Sequence, residues 1–207
     1  MIRSALTVTI VLALVGCTKD QVITTPFNDS FDRKALGNDY HNTGGPYRVD
    51  EGKLRIRGAY NKPLWLKRKL PRDAVIEFDV TSYSDDGDIK VEVWGDGESY
   101  ATSKGAYLAT SYVFIFGGWG NRVSALCRLD EHSPDRITRK DTKVVKGRTY
   151  HWKISRKGNL VNWDIDGKHF LKMNDQSPLE GPRHSYLGFN NWASDISFDN
   201  LKITPLK

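Results

Sequence analysis

From Phe27 onward, apolar and polar residues alternate in short runs, and turn-forming residues separate the runs. Ile76, Phe78 and Val80 alternate with Glu77, Asp79 and Thr81. Ile89, Val91 and Val93 alternate with Lys90, Glu92 and Trp94, and Tyr150, Trp152 and Ile154 fall at every second position. Side chains along a strand point to opposite faces with period two, so each run predicts a strand with one buried face. Asp50-Glu51-Gly52, Asp85-Asp86-Gly87, Gly158-Asn159 and Asp166-Gly167 punctuate the runs, the last as a strong hairpin signal. No stretch sustains a helical period. Many strands with regular turns predict an all-β fold, a sandwich of two antiparallel sheets.

The stretch from Tyr112 to His132 is the centre of this pattern. It reads as two strands joined by Gly117-Gly118-Trp119-Gly120-Asn121. Parity sets Val113 and Ile115 against Tyr112, Phe114 and Phe116. It also sets Val123, Ala125, Cys127 and Leu129 against Ser124, Leu126, Arg128 and Asp130, with His132 in line if the strand runs that far. Suppose the strands at residues 74–83, 87–95, 111–118, 122–130 and 184–192 share a sheet. One face then holds Glu77, Asp79, Lys90, Glu92, Trp94, Tyr112, Phe114, Phe116, Arg128, Asp130, Asn190 and Trp192. The other face, holding Ile76, Phe78, Val91, Val93, Val113, Ile115, Ala125, Cys127, Leu187 and Phe189, forms the core. Aromatic rings pack on the C–H groups of a sugar, and carboxylates, Arg and Asn bond its hydroxyls. The predicted glycan site is therefore Trp94, Tyr112, Arg128, Asp130, Asn190 and Trp192, with Trp119 clamping from the turn. The competing expectation is that loops cover these aromatics as a second small core and the charges pair with one another.

The length of 207 residues suits one sizeable domain, and no linker rich in Pro, Ser or Gly divides it. Net charge is +6, from 31 basic and 25 acidic residues spread along the chain, unlike the concentrated patch of a nucleic-acid binder. Such a bias suits an acidic glycan or an anionic membrane surface, and equally a merely solubilising surface. The basic run from Arg136 to Arg148 reads as a solvated loop and strand, or as a contact for lipid headgroups or an acidic polymer. Of the two cysteines, Cys127 falls on the apolar side of its strand and is expected as a small core residue. No zinc spacing, phosphate loop or Gly-x-Ser-x-Gly elbow occurs.

Arg3 precedes an apolar run from Ala5 to Val15, too short to span a bilayer and suited to a secretory signal. The run ends in Leu14-Val15-Gly16-Cys17, which resembles the bacterial lipoprotein box. That resemblance implies cleavage before Cys17 and a lipid on its thiol. Thr18 stands where inner-membrane retention signals place Asp, which implies an outer-membrane destination. Residues 1–16 are thus expected as signal peptide, 17–26 as lipidated tether and 27–207 as the domain.

Phe27-Asn28-Asp29-Ser30-Phe31-Asp32 with Tyr47-Arg48-Val49-Asp50-Glu51-Gly52-Lys53-Leu54 resembles the opening of concanavalin A-like (lectin/glucanase) jelly rolls. Ile196-Ser197-Phe198-Asp199-Asn200-Leu201-Lys202-Ile203 resembles their last strand. The resemblance implies that the first and last strands pair, that a concave sheet carries the ligand, and that Asp29, Asp32 and Asp199 hold a structural calcium. Turn-capping is the other expected role for these aspartates. Laminarinase-like relatives carry Glu-x-Asp-x-x-Glu on one strand; here Glu77-Phe78-Asp79-Val80-Thr81-Ser82 lacks the second glutamate, against that chemistry at this place. Glu92 with Asp130 or Glu131 is another carboxylate pair for hydrolysis. A polysaccharide lyase would use Tyr112 or His132 for proton transfer and Arg128 to neutralise a uronate. Catalytic candidates are therefore Glu92, Arg128 and His132. The preferred expectation is a lipid-anchored envelope protein that binds a glycan, ahead of an enzyme of the same fold and of a structural or docking lipoprotein.

Overall fold

The computed structural model describes residues 20–103 and 107–207. The expected signal peptide and Cys17 lie outside the described residues. Among the described residues fifteen strands run in chain order: β1 (Phe27–Asp29), β2 (Tyr40–Asn42), β3 (Arg48–Asp50), β4 (Lys53–Arg57), β5 (Leu64–Leu66), β6 (Ala74–Ser82), β7 (Ile89–Gly95), β8 (Tyr112–Gly117), β9 (Val123–Arg128), β10 (Ile137–Arg139), β11 (Thr149–Lys157), β12 (Leu160–Ile165), β13 (Lys168–Asn174), β14 (Tyr186–Asn191) and β15 (Asp195–Pro205). They form two antiparallel sheets. One has the order β13-β12-β11-β6-β15-β4-β3, with β1 also on β15; the other has the order β10-β9-β8-β7-β14-β5-β2. The first and last strands pair, Phe27 opposite Ile203, as the resemblance implied.

The turn chemistry folds as written. Asp166 and Gly167 join β12 to β13 with φ of 52° and 72°, the double left-handed conformation that a two-residue hairpin requires. Glu51 and Gly52 do the same between β3 and β4.

Between the sheets lies an aromatic-rich core. Phe189 meets Phe198 across the sandwich at 4.6 Å between ring centroids, Phe116 meets Tyr150 at 5.1 Å and Phe114 meets Trp163 at 5.6 Å. Such pairs add about 0.5–1.5 kcal/mol each beyond the area they bury. The residues just before β1 are stitched to the sandwich. Ile23 is buried, its N–H bonds Lys69 O at 2.9 Å, and the N–H of Lys69 bonds Gln21 O at 2.9 Å.

Two features of the expected sheet change. Strand β6 belongs to the other sheet, between β11 and β15, so Glu77 and Asp79 stand on that sheet's outer face beside His151. The facing of β8 and β9 is also reversed. Residues directly opposite in an antiparallel pair share a face, and Val91 lies opposite Phe114, Val93 opposite Tyr112 and Phe114 opposite Leu126. Tyr112, Phe114 and Phe116 therefore enter the core, while Val113, Ile115, Ala125 and Cys127 form a small second cluster on the outer face. Both rows of β8 are apolar, so polarity carries no vote there. The larger rings fill the space between the sheets.

Candidate functional site

The outer face of the seven-stranded sheet carries the remaining polar row: Lys90 and Glu92 from β7 and Asn190 from β14, with Asn190 opposite Lys90. Two loops fold onto this face. Residues 107–111, ahead of β8, lay Tyr107 over Glu92, the phenol donating to Oε2 at 2.9 Å. Residues 129–136 fold back after β9 and bring Glu131 to Lys90, with Nζ to Oε2 at 2.6 Å. The expected covering of the outer face by loops is thus real over Glu92. Beyond it the face stays open as a cleft of about 480 Å³.

This cleft is lined by Asn61, Asp86, Asp88, Lys90, Tyr107 and Ile115, by the Gly118-Trp119-Gly120 turn, by Glu131 and His132, and by Trp192 to Ser194. Its volume falls in the range of small-molecule sites. Trp119 has φ of 52° and is flanked by glycines, so the β8–β9 turn can present a large ring at its tip. The ring meets His132 edge-on at 5.9 Å, and the Arg136 guanidinium lies 5.0 Å from its centroid. Across the cleft Trp192 packs edge-on against Tyr60 at 5.2 Å.

The polar floor is tightly wired. Lys90 is 3% exposed and donates to Asn61 Oδ1 at 2.8 Å as well as to Glu131. Burial alone would pull its ammonium down, but Glu131 and Asp88 outweigh that and hold it above the ordinary lysine range. Asp88 has φ of 56° and accepts the Trp192 N–H at 2.5 Å, which fixes the turn that carries the indole. Burial pushes its carboxyl up to about 6, although Lys90 and the Trp192 N–H pull the other way. Glu92 lies beneath the covering loop. Burial raises it to about 7 against the hydrogen bonds of Ser111, Tyr107 and Asn190.

The expected glycan residues divide. Trp119 and Trp192 meet at the cleft. Asn190 stands on the outer face but is buried, donating to Glu92 Oε1 at 2.8 Å. Asp130 closes a turn by accepting the His132 N–H at 2.8 Å. Trp94, Tyr112 and Arg128 lie elsewhere. A β-bulge places Tyr186 opposite Gly95 and Leu187 opposite Val93, leaving Trp94 unopposed with φ of 57°. The extra residue turns its ring inward to Tyr112, with the indole N–H on Pro71 O at 3.1 Å. Tyr112 and Arg128 both donate to Asp175, at 2.7 and 3.0 Å, at one end of the core.

Of the catalytic candidates only His132 reaches the cleft. Glu92 is covered, and Arg128 serves Asp175. The polar residues that sequence reasoning did not place here, Asn61, Asp86, Asp88 and Tyr107, all sit in turns and loops, where alternation is silent. Asp86 belongs to a segment read only as a turn.

Of the three aspartates expected to hold calcium, Asp29 has its carboxylate engaged by other side chains. Asp29 gives both oxygens to Arg33, at 2.5 and 2.9 Å, and also accepts the Tyr40 hydroxyl at 2.7 Å. Among the described residues no group of three or more His, Cys, Asp or Glu is gathered to hold a metal.

No family model matches the chain, and no curated protein matches it. Solved structures do. A carbohydrate binding module, CBM66, from Bacillus subtilis superposes with a TM-score of 0.58 at 15% identity, covering 81% of this chain and 97% of that one. A Bacillus subtilis protein of unknown function with a galectin-like fold gives 0.61 at 15% identity, covering 86% and 94%. A prokaryotic β-1,3-1,4-glucanase (lichenase) derived from a mouse hindgut metagenome gives 0.57 at 11% identity, covering 88% and 100%. At these identities the likeness is one of fold. The chain is an all-β, antiparallel two-sheet jelly-roll sandwich.

Proposed function

We propose that this jelly roll is the glycan-binding domain of a lipid-anchored bacterial envelope protein, and that the saccharide sits in the cleft between Trp119 and Trp192. The observation that carries this reading is the cleft's composition: two indole rings above a polar floor in which Asn61, Asp88 and Lys90 are buried and Glu131 is paired with Lys90. Rings supply stacking surface, and fixed polar groups supply orientation at little entropic cost. The carbohydrate-binding module and the glucanase among the structural neighbours support the same ligand class. Binding to a glycan array tests it. Trp119→Ala and Trp192→Ala should each weaken retention about tenfold, or ~1.4 kcal/mol. Unchanged retention in both variants would remove the assignment.

One observation favours a second reading, a glycoside hydrolase. Asp88, with its raised carboxyl, and Glu131 line the same cleft, and hydrolysis needs one protonated and one ionised carboxyl. Release of reducing ends that is lost in Asp88→Asn would place turnover ahead of binding.

A further inference from the structure

The cleft inverts the charge of the chain that carries it. The chain is +6 overall, yet the described residues lining the cleft include three carboxylates, Asp86, Asp88 and Glu131, and one ammonium, Lys90. That ammonium is already committed within the wall, 2.6 Å from Glu131 and 2.8 Å from Asn61. The guanidinium of Arg136, beside the rim, donates to the Glu131 carbonyl at 2.9 Å and lies over Trp119. Among the described residues that line the cleft, a sugar carboxylate entering here would approach Asp88 and Glu131 with no uncommitted ammonium or guanidinium to receive it. A protonated amine would approach the same carboxylates together with the electron-rich rings of Trp119, Trp192 and Tyr107.

We infer that the cleft selects glycans bearing a protonated amino group, such as de-N-acetylated hexosamine oligomers, over glycans of uronic acids. This rests on the saccharide reading above and narrows its substrate class. It also reverses the acidic-polymer partner that net charge suggests. Asp88 is faced by Lys90, Glu131, Asp86 and the Trp192 N–H, and His132 lines the same cleft. Its carboxyl must be ionised to receive the amine, so selectivity should rise as pH climbs through the value of about 6 at which Asp88 loses its proton.

Calorimetry on the full chain in non-ionic detergent tests this with three probes: a glucosamine tetramer, its N-acetylated counterpart and a mannuronate tetramer. At about pH 6.5 the aminated tetramer should bind about tenfold tighter than the acetylated one, and the uronate should give no heat of binding. The aminated-to-acetylated ratio should shrink about threefold at about pH 5, and also in Asp88→Asn. Because Asp88 fixes a turn, Asp86→Asn, at an exposed position, provides an independent check and should shrink the ratio too. Tighter binding of the uronate, or equal binding of the aminated and acetylated tetramers, overturns the charge inference and leaves the saccharide reading standing. Absence of any saccharide binding by a folded chain overturns both.

Discussion

Glu92 stands on the outer face of β7 with three donors on one buried carboxylate: Tyr107, Ser111 and Asn190, at 2.8 to 2.9 Å. Burial nonetheless dominates and raises its pKa from 4.5 to about 7. The native state therefore keeps this proton after the unfolded chain has lost it. Below about pH 4.5 both states are protonated and the group contributes nothing to pH dependence. Between about pH 4.5 and 7 stability falls as pH rises, and it levels off above that. Asp88 acts with the same sign between 3.8 and about 6. Asp29, Asp175 and Asp195 are held below the ordinary range, so their contribution is lost only on stronger acidification. Thermal melts should accordingly show the melting temperature dropping from about pH 5 to 7.5. Glu92→Gln should flatten most of that slope, removing the Glu92 share of at most about 3.4 kcal/mol at 1.36 kcal/mol per pKa unit and leaving that of Asp88. Identical slopes in both proteins would show that Glu92 ionises freely in the fold.

Strand β7 shows where alternation informs and where it misleads. Its inward Val91 and Val93 and outward Lys90 and Glu92 follow parity, because their polarities differ and each face votes. One residue later the bulge adds a step to the count, and Trp94 turns from the outer face into the core. No local composition marks that bulge; Gly95, beside it, is the nearest hint. The hairpin turns were legible because Asp-Gly and Glu-Gly have few backbone options. The two apolar rows of β8 were not, because volume and not polarity chose between them. The cleft was legible at Trp119, Trp192, Lys90 and the Glu131-His132 pair, and not at Asn61, Asp86, Asp88 and Tyr107, which come from turns and loops whose paths the strands do not dictate. These placements separate two tryptophans by experiment. Trp94→Ala should cost about 3–5 kcal/mol of stability by emptying a core site against Tyr112 and Arg156. Below its melting temperature it should bind glycan with unchanged affinity. Denaturant melts paired with calorimetry check this, and a folded Trp94→Ala protein that loses affinity would return the ring to the site.

Across the whole molecule the segment Gln21 to Ile23 and the cleft lie toward opposite ends of one strand. The Lys69 N–H bonds Gln21 O, the Leu70 N–H bonds Ser185 O at 2.6 Å, and the Ser185 N–H bonds Gly95 O at 2.8 Å. The incoming chain is thereby fixed beside the Gly95 end of β7. Asp88 and Lys90 lie at the other end, where Gly118–Asn121 follows β8 and Trp192 follows β14. At about 3.3 Å per residue, the seven residues of β7 separate the two by roughly 20 Å. With the lipid proposed on Cys17, six positions before the buried Ile23, the sandwich would stand with its Gln21–Ile23 end toward the bilayer and its cleft away from it. Two measurements follow from that geometry. Cys17→Ser should move the protein from the membrane to the soluble fraction while leaving glycan affinity unchanged. A fluorophore on Ala193, at the cleft mouth, should remain unquenched by a lipid-headgroup quencher in vesicles carrying the anchored protein, whereas one on Val22 should be quenched strongly. Equal quenching at both positions would mean that the sandwich lies on its side, with its cleft close to the membrane surface.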